Sequence, residues 1–130
     1  MKRIMIKQAM THYRNPKFNV EMFACELQVS TRYLYEISMK FYDLCPKDLI
    51  ECLRVGYATR LLSAPGDQPM NHIAKASGFS DTRALNRALK RHFGATSCQC
   101  KALFKQTGLP KPFKRKLMVI QERSFPAHQA

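Results

Sequence analysis

The chain has 130 residues, enough for one domain or two very small ones sharing an interface. Lys and Arg number 22 against 9 Asp and Glu, a formal net charge of +13, and 45% of the residues are hydrophobic. That excess suits a nucleic acid or an anionic membrane surface. No apolar run approaches the roughly 20 residues that span a bilayer. The opening "MKRIMIKQ" lacks the apolar stretch of a secretory signal. A soluble, cytoplasmic protein without membrane contact is expected.

Taken in chain order, the sequence reads as helices. Lys2 to Arg14 places Ile6, Ala9, Met10 and Tyr13 on one face at helical spacing, and Asn15-Pro16 ends it. Asn19 caps a short helix to Leu27, with Val20, Phe23, Ala24 and Leu27 inward. Ser30 caps another to about Tyr42, with Leu34, Ile37 and Phe41 inward. Pro46 suits the start of a longer helix to Leu62 or Ala64, striped by Leu49, Ile50, Leu53, Tyr57, Ala58, Leu61 and Leu62. After the loop "APGDQP" come helices at 70–77, 81–93 and 97–105. The rest holds three prolines and a glycine, and reads as mostly extended, with one short helix or strand at 114–122.

The charge is uneven. Residues 65–105 carry seven bases and two acids, whereas 16–46 carry three bases and four acids. The basic tail stretch "KPFKRK" reads as a solubilising end, the alternative being added phosphate contacts. Five cysteines make an odd set without framework spacing and read as idle reduced thiols. Cys98-x-Cys100 near His92 lacks the second ligand pair of a zinc site, so neither a metal nor a cofactor is expected. No paired carboxylates, nucleophile–base set or phosphate-cradling glycine loop appears, so the chain does not read as an enzyme.

Two turns share one grammar. "FACELQVSTRYLYEI" (23–37) and "IAKASGFSDTRALNRA" (73–88) each place a small residue, Ala24 or Ala74, where two helices must approach closely. Four residues on comes the turn, Gln28 or Gly78, then Val29 or Phe79, then a polar cap. This is the helix-turn-helix pattern, and two copies fifty residues apart strengthen it. The turn slot wants positive φ, free for Gly78 but costing Gln28 roughly 1–2 kcal/mol.

With these residues, the chain resembles the DNA-binding domain of the AraC/XylS family of bacterial transcription regulators over roughly residues 4–105. "IA" (73–74), "GFSD" (78–81), "LNRALKRHFG" (85–94) and Thr96 sit where that family's signature expects them. In the first half Ala24, Ser30, Leu34, Pro46, Arg54, Ala58 and "LL" (61–62) fit. Gln28 and Asp43 replace glycines, Glu36 an arginine, Ser38 a phenylalanine, Leu85 and Leu89 aromatics, and Ser97 a proline. The resemblance implies an all-α, homeodomain-like fold of about seven helices. Two helix-turn-helix subdomains, 1–46 and 65–105, would flank a linker helix, 47–64, with 106–130 as a basic, extended tail. It further implies a bacterial activator acting at the nucleoid, reading two successive major grooves. No small-molecule effector domain is expected.

In the second motif Leu85, Ala88 and Leu89 face inward, leaving Thr82, Arg83, Asn86, Arg87 and Lys90 outward. Arg83 suits a guanine and Asn86 an adenine, while Arg87, Lys90 and Arg91 suit phosphates. In the first motif the outward set is Thr31, Arg32, Tyr35, Glu36, Met39 and Lys40. Thr31, Arg32, Tyr35 and Lys40 are its weaker candidate DNA contacts, and Glu36 would repel phosphate. Arg54 reads as a structural ion-pair or capping partner. The expected partner is double-stranded DNA, with RNA polymerase or another regulator as a further one. The alternative is a protein-interaction module whose near-neutral first motif docks a transcription partner, with DNA held weakly or not at all.

Overall fold

Local capping chemistry sets the helix boundaries in the computed structural model, which describes residues 1–66 and 68–124, with side chains up to Ile120. Helices α1 (Lys2–His12), α2 (Val20–Leu27) and α3 (Thr31–Tyr42) form the first group. Helix α4 (Pro46–Ser63) leads to α5 (Met70–Ala76), α6 (Thr82–Phe93), α7 (Ser97–Thr107) and α8 (Lys111–Ser124). The Asn19 side chain accepts from the Met22 N–H at 2.9 Å and Ser30 from the Tyr33 N–H at 3.0 Å. Asp81 accepts from the Ala84 N–H at 2.8 Å, and Gln99 reaches back to the Thr96 N–H at 3.0 Å. Each bond satisfies an amide that a helix start leaves without an intrahelical partner. Two ends are closed by side-chain-bearing residues in the left-handed region, Gln28 at φ 58° and Asp43 at φ 55°. Both residues thus take the left-handed conformation that a glycine would adopt freely.

The long helix is the axis of the core. Leu49, Ile50, Leu53, Ala58 and Leu62 of α4 are buried, as the apolar stripe predicts. Cys52, Val55, Gly56 and Thr59, on another face, are buried too. That second face is covered because α7 and α8 also pack on α4. The buried Thr59 hydroxyl is satisfied by the Gly56 carbonyl at 2.8 Å. One hydrophobic cluster runs from Met5 and Ile6 in α1 to Ile120 in α8. No helix of the described residues is long and apolar enough to cross a membrane.

The tail departs from expectation. Residues 111–124 form one helix, longer than the short helix or strand expected at 114–122 in a mostly extended tail. Pro112 is tolerated in the first turn, where no intrahelical N–H bond is lost. The Lys114 N–H donates to the Pro110 carbonyl at 3.0 Å, which starts the helical ladder. Phe113, Leu117 and Ile120 recur at one helical face; Phe113 and Ile120 are buried and Leu117 is packed against the core. Residues 125–130 of the expected tail lie outside the described residues.

Candidate nucleic-acid interface

Helix α6 divides sharply. Leu85, Ala88 and Leu89 are completely buried. Arg83, Arg87 and Lys90, spaced four and three residues apart, are exposed on the opposite side. No acid among the described residues forms an ion pair with any of the three. Thr82 opens the helix half-buried, beside its Asp81 cap.

Two other expected contacts are engaged within the protein. The Asn86 Oδ1 accepts from the Ser97 N–H at 2.8 Å, tying α6 to the first turn of α7. Bidentate pairing with adenine needs that oxygen free, so Asn86 is not poised for it. The Arg91 Nη2 donates to Glu51 Oε2 at 2.5 Å, and His92 Nε2 lies 3.0 Å from Glu51 Oε1. Arg91 thereby joins α6 to α4 instead of standing free for a phosphate. The His92 hydrogen bond, with a smaller one from Arg91, outweighs partial burial and holds the Glu51 carboxyl down at about 2.

In the first motif Leu34 and Ile37 of α3 are buried, and Thr31, Arg32, Tyr35, Glu36 and Lys40 are exposed. The Arg32 Nε lies 3.6 Å from Glu36 Oε1, one helical turn on, and their side chains are 91% and 58% exposed. Such a pair contributes roughly 0.3–0.5 kcal/mol, but it neutralises the one arginine of this face. Tyr33 is 45% exposed and Tyr35 52%, on two flanks of α3 about 200° apart. Sequence reasoning passed over Tyr33, whose position after the Ser30 cap gives no sign of its exposure.

The turn between α5 and α6 is pinned to the loop after α1. Arg54, in the middle of α4, donates through Nε to the Tyr13 carbonyl at 2.7 Å and through Nη2 to the Asn15 and Phe18 carbonyls at 3.0 Å. It is the capping residue the sequence suggested, half-buried, with its pKa lowered by burial. Arg14 donates to the Ala76 carbonyl at 2.8 Å and lies over the Tyr57 ring, 4.2 Å from its centroid. Gly78, at φ +100°, fits into this knot: a Cβ there would meet the Tyr13 oxygen at 2.4 Å and Arg54 Nε at 2.8 Å.

Helix α8 lies behind α6. His92 comes nine residues after Arg83, about 180° round the helix. The His92 ring meets the Phe113 ring at 5.4 Å. Lys111, Lys114 and Arg115 of α8 are exposed. Among the described residues no three His, Cys, Asp or Glu side chains converge to hold a metal ion.

Two helix-turn-helix units on one central helix define an all-α helix-turn-helix protein. A helix-turn-helix domain family model matches residues 23–100, more than half the chain. The chain belongs to this AraC-type helix-turn-helix family of DNA-binding transcription regulators. The structure is similar to the C-terminal domain of the two-component response regulator yesN from Fusobacterium nucleatum, with a TM-score of 0.72 and 21% identity. That match covers 77% of this chain and 96% of that one. The C-terminal domain of AraT, a response regulator from Geobacillus stearothermophilus, gives 0.73 at 22% identity, covering 78% and 84%. The DNA-binding domain of AdpA, solved in complex with a target DNA, gives 0.70 at 23% identity, covering 83% and 93%. No curated protein matches the chain.

Proposed function

We propose that the protein binds double-stranded DNA sequence-specifically to regulate transcription, with α6 in one major groove and α3 against the next. The observation that carries this reading is the exposed Arg83–Arg87–Lys90 stripe on a helix whose opposite face is wholly buried. A helix of this kind fits the major groove of B-DNA. Arg83, near the N-terminal end of α6, reaches base edges; Arg87 and Lys90 hold phosphates. The 18 residues of α4 span about 27 Å. With flanking packing, that suits recognition helices about 34 Å apart, one turn of DNA. The AdpA domain, a structural neighbour on its target DNA, supports the choice of ligand.

The contribution of the first motif is weaker. Arg32 is paired with Glu36, leaving Thr31, Tyr35 and Lys40 to approach the duplex. The exposed Tyr33 and Tyr35 favour a second role for α3, docking a protein partner such as RNA polymerase or another regulator. Aromatic residues without net charge suit a protein surface better than a phosphate backbone. A duplex selected from a random pool, titrated beside a scrambled one at several salt concentrations, tests the main reading. Specific binding that resists salt better than binding to the scrambled duplex is expected. Equal affinity at every salt concentration would refute it.

A further inference from the structure

Helix α8 reaches parts of both halves. Its Phe113 ring stacks edge-on against Phe93 at 5.0 Å and His92 at 5.4 Å, at the C-terminal end of α6. One turn on, Leu117 lies over Gly56 of α4; a Cβ on that glycine would come 2.8 Å from its Cδ2. Ile120 is 1% exposed, and α8 also packs against α1. So the second motif, the central helix and the first helix of the chain all meet one short element.

Two helical units joined by one helix and one knot of turns retain a hinge. The knot here is Arg14 on Ala76 and Gly78 against Tyr13. Rotation about that knot would swing α6 relative to α3. A second attachment, away from the knot, removes the rotation. Helix α8 supplies it, because it packs on α1 of the first group as well as on the rear of α6 and the Gly56 face of α4. This helix lies outside the family-matched residues 23–100.

We propose that α8 is a spacing gauge: through Phe113 and Leu117 it fixes the placement of α6 relative to α3, and thereby selects which separation of DNA half-sites the protein accepts. The inference rests on the two-groove reading above. The two can be tested apart. Cys25 in α2 and Cys98 in α7 are exposed, one in each half, so spin labels on them report the distance between the halves without DNA. Cys45, only partly exposed, is replaced by serine to keep the labelling clean. In the full chain, F113A/L117A is compared with its parent, and L117A alone serves if the double variant loses its helical circular dichroism.

The parent is expected to give one narrow distance distribution and the folded variant a broad one. On duplexes, inserting two base pairs between half-sites should cost the parent about tenfold in affinity, the scale of one lost base-pair contact, and the variant clearly less. A distribution as narrow in the folded variant as in the parent overturns the gauge. So does an undiminished spacing preference in the variant. A parent indifferent to the insertion, with a distribution that still broadens on substitution, would leave the brace intact but refute the two-groove reading.

Discussion

Replacing Gly78 with alanine strikes the knot that holds the α5–α6 turn against the loop after α1. The residue has φ +100°, where an L side chain is strained whatever the space around it. That strain alone costs about 1–2 kcal/mol. The added Cβ would also fall 2.4 Å from the Tyr13 carbonyl oxygen. That oxygen accepts the 2.7 Å bond from Arg54 Nε, so relieving the clash pulls it from a half-buried guanidinium. Weakening a hydrogen bond to a charged group costs about 1.5–3 kcal/mol. The expected loss is about 3–5 kcal/mol, a large share of the roughly 5–15 kcal/mol that holds a domain folded. For a chain of this size the melting temperature should fall by about 10–20 °C, read by circular dichroism. Gln28→Gly is the converse, removing the cost of a side chain at φ 58°, and should stabilise by about 1 kcal/mol. An alanine at 78 within about 1 kcal/mol of the parent in urea titration would refute the strained-turn reasoning.

Further outcomes follow from the α6 face and its rear contacts. Arg83→Ala should cost about 1–3 kcal/mol on the selected duplex and relax preference at one base pair; an equal loss on scrambled DNA would make it a phosphate contact. Replacing Arg87 and Lys90 together should lower the salt slope by about 2, and replacing Arg32 and Lys40 by clearly less; replacing Lys111, Lys114 and Arg115 should leave it nearly unchanged. The carboxyl of Glu51 is depressed from 4.5 to about 2, so its stabilising contribution is present above pH 4.5 and is lost as pH falls toward 2. Because Arg91 is largely exposed, solvent screening reduces that contribution to about 1 kcal/mol. Glu51→Gln should remove most of the acid-side slope in stability measured by urea titration between those pH values.

What the sequence disclosed was local chemistry. Asn19, Ser30 and Asp81 lie one residue before their helices, and a cap needs only a side chain and an amide three residues on. Gly78 is readable for the same reason; Arg54 reads as an ion-pair or capping partner, and it is the latter, bonded to the Tyr13, Asn15 and Phe18 carbonyls. What stayed hidden depends on distant partners. The Asn86 oxygen is taken by Ser97 and Arg91 by Glu51, neither of which a helical wheel of α6 can show. Helix α8 showed in the sequence only as a short helix or strand at 114–122, because Gly108, Pro110 and Pro112 read as breakers and the Phe113, Leu117 and Ile120 stripe is weak among five cations. Phe93 and His92 meet Phe113, with Phe104 stacked on the Phe93 ring at 5.1 Å, and that cluster exists only in the folded chain. The buried Gly56 face of α4 was missed with it, since nothing in the local pattern announces the helix that covers it.

The most direct test of the central claim is methylation protection of guanine N7 on the selected duplex, because that atom lies in the major groove. Two protected patches about one DNA turn apart on the same face are expected, and Arg83→Ala should abolish one of them while the other survives. Binding without N7 protection, or protection that Arg83→Ala leaves intact, would contradict the account.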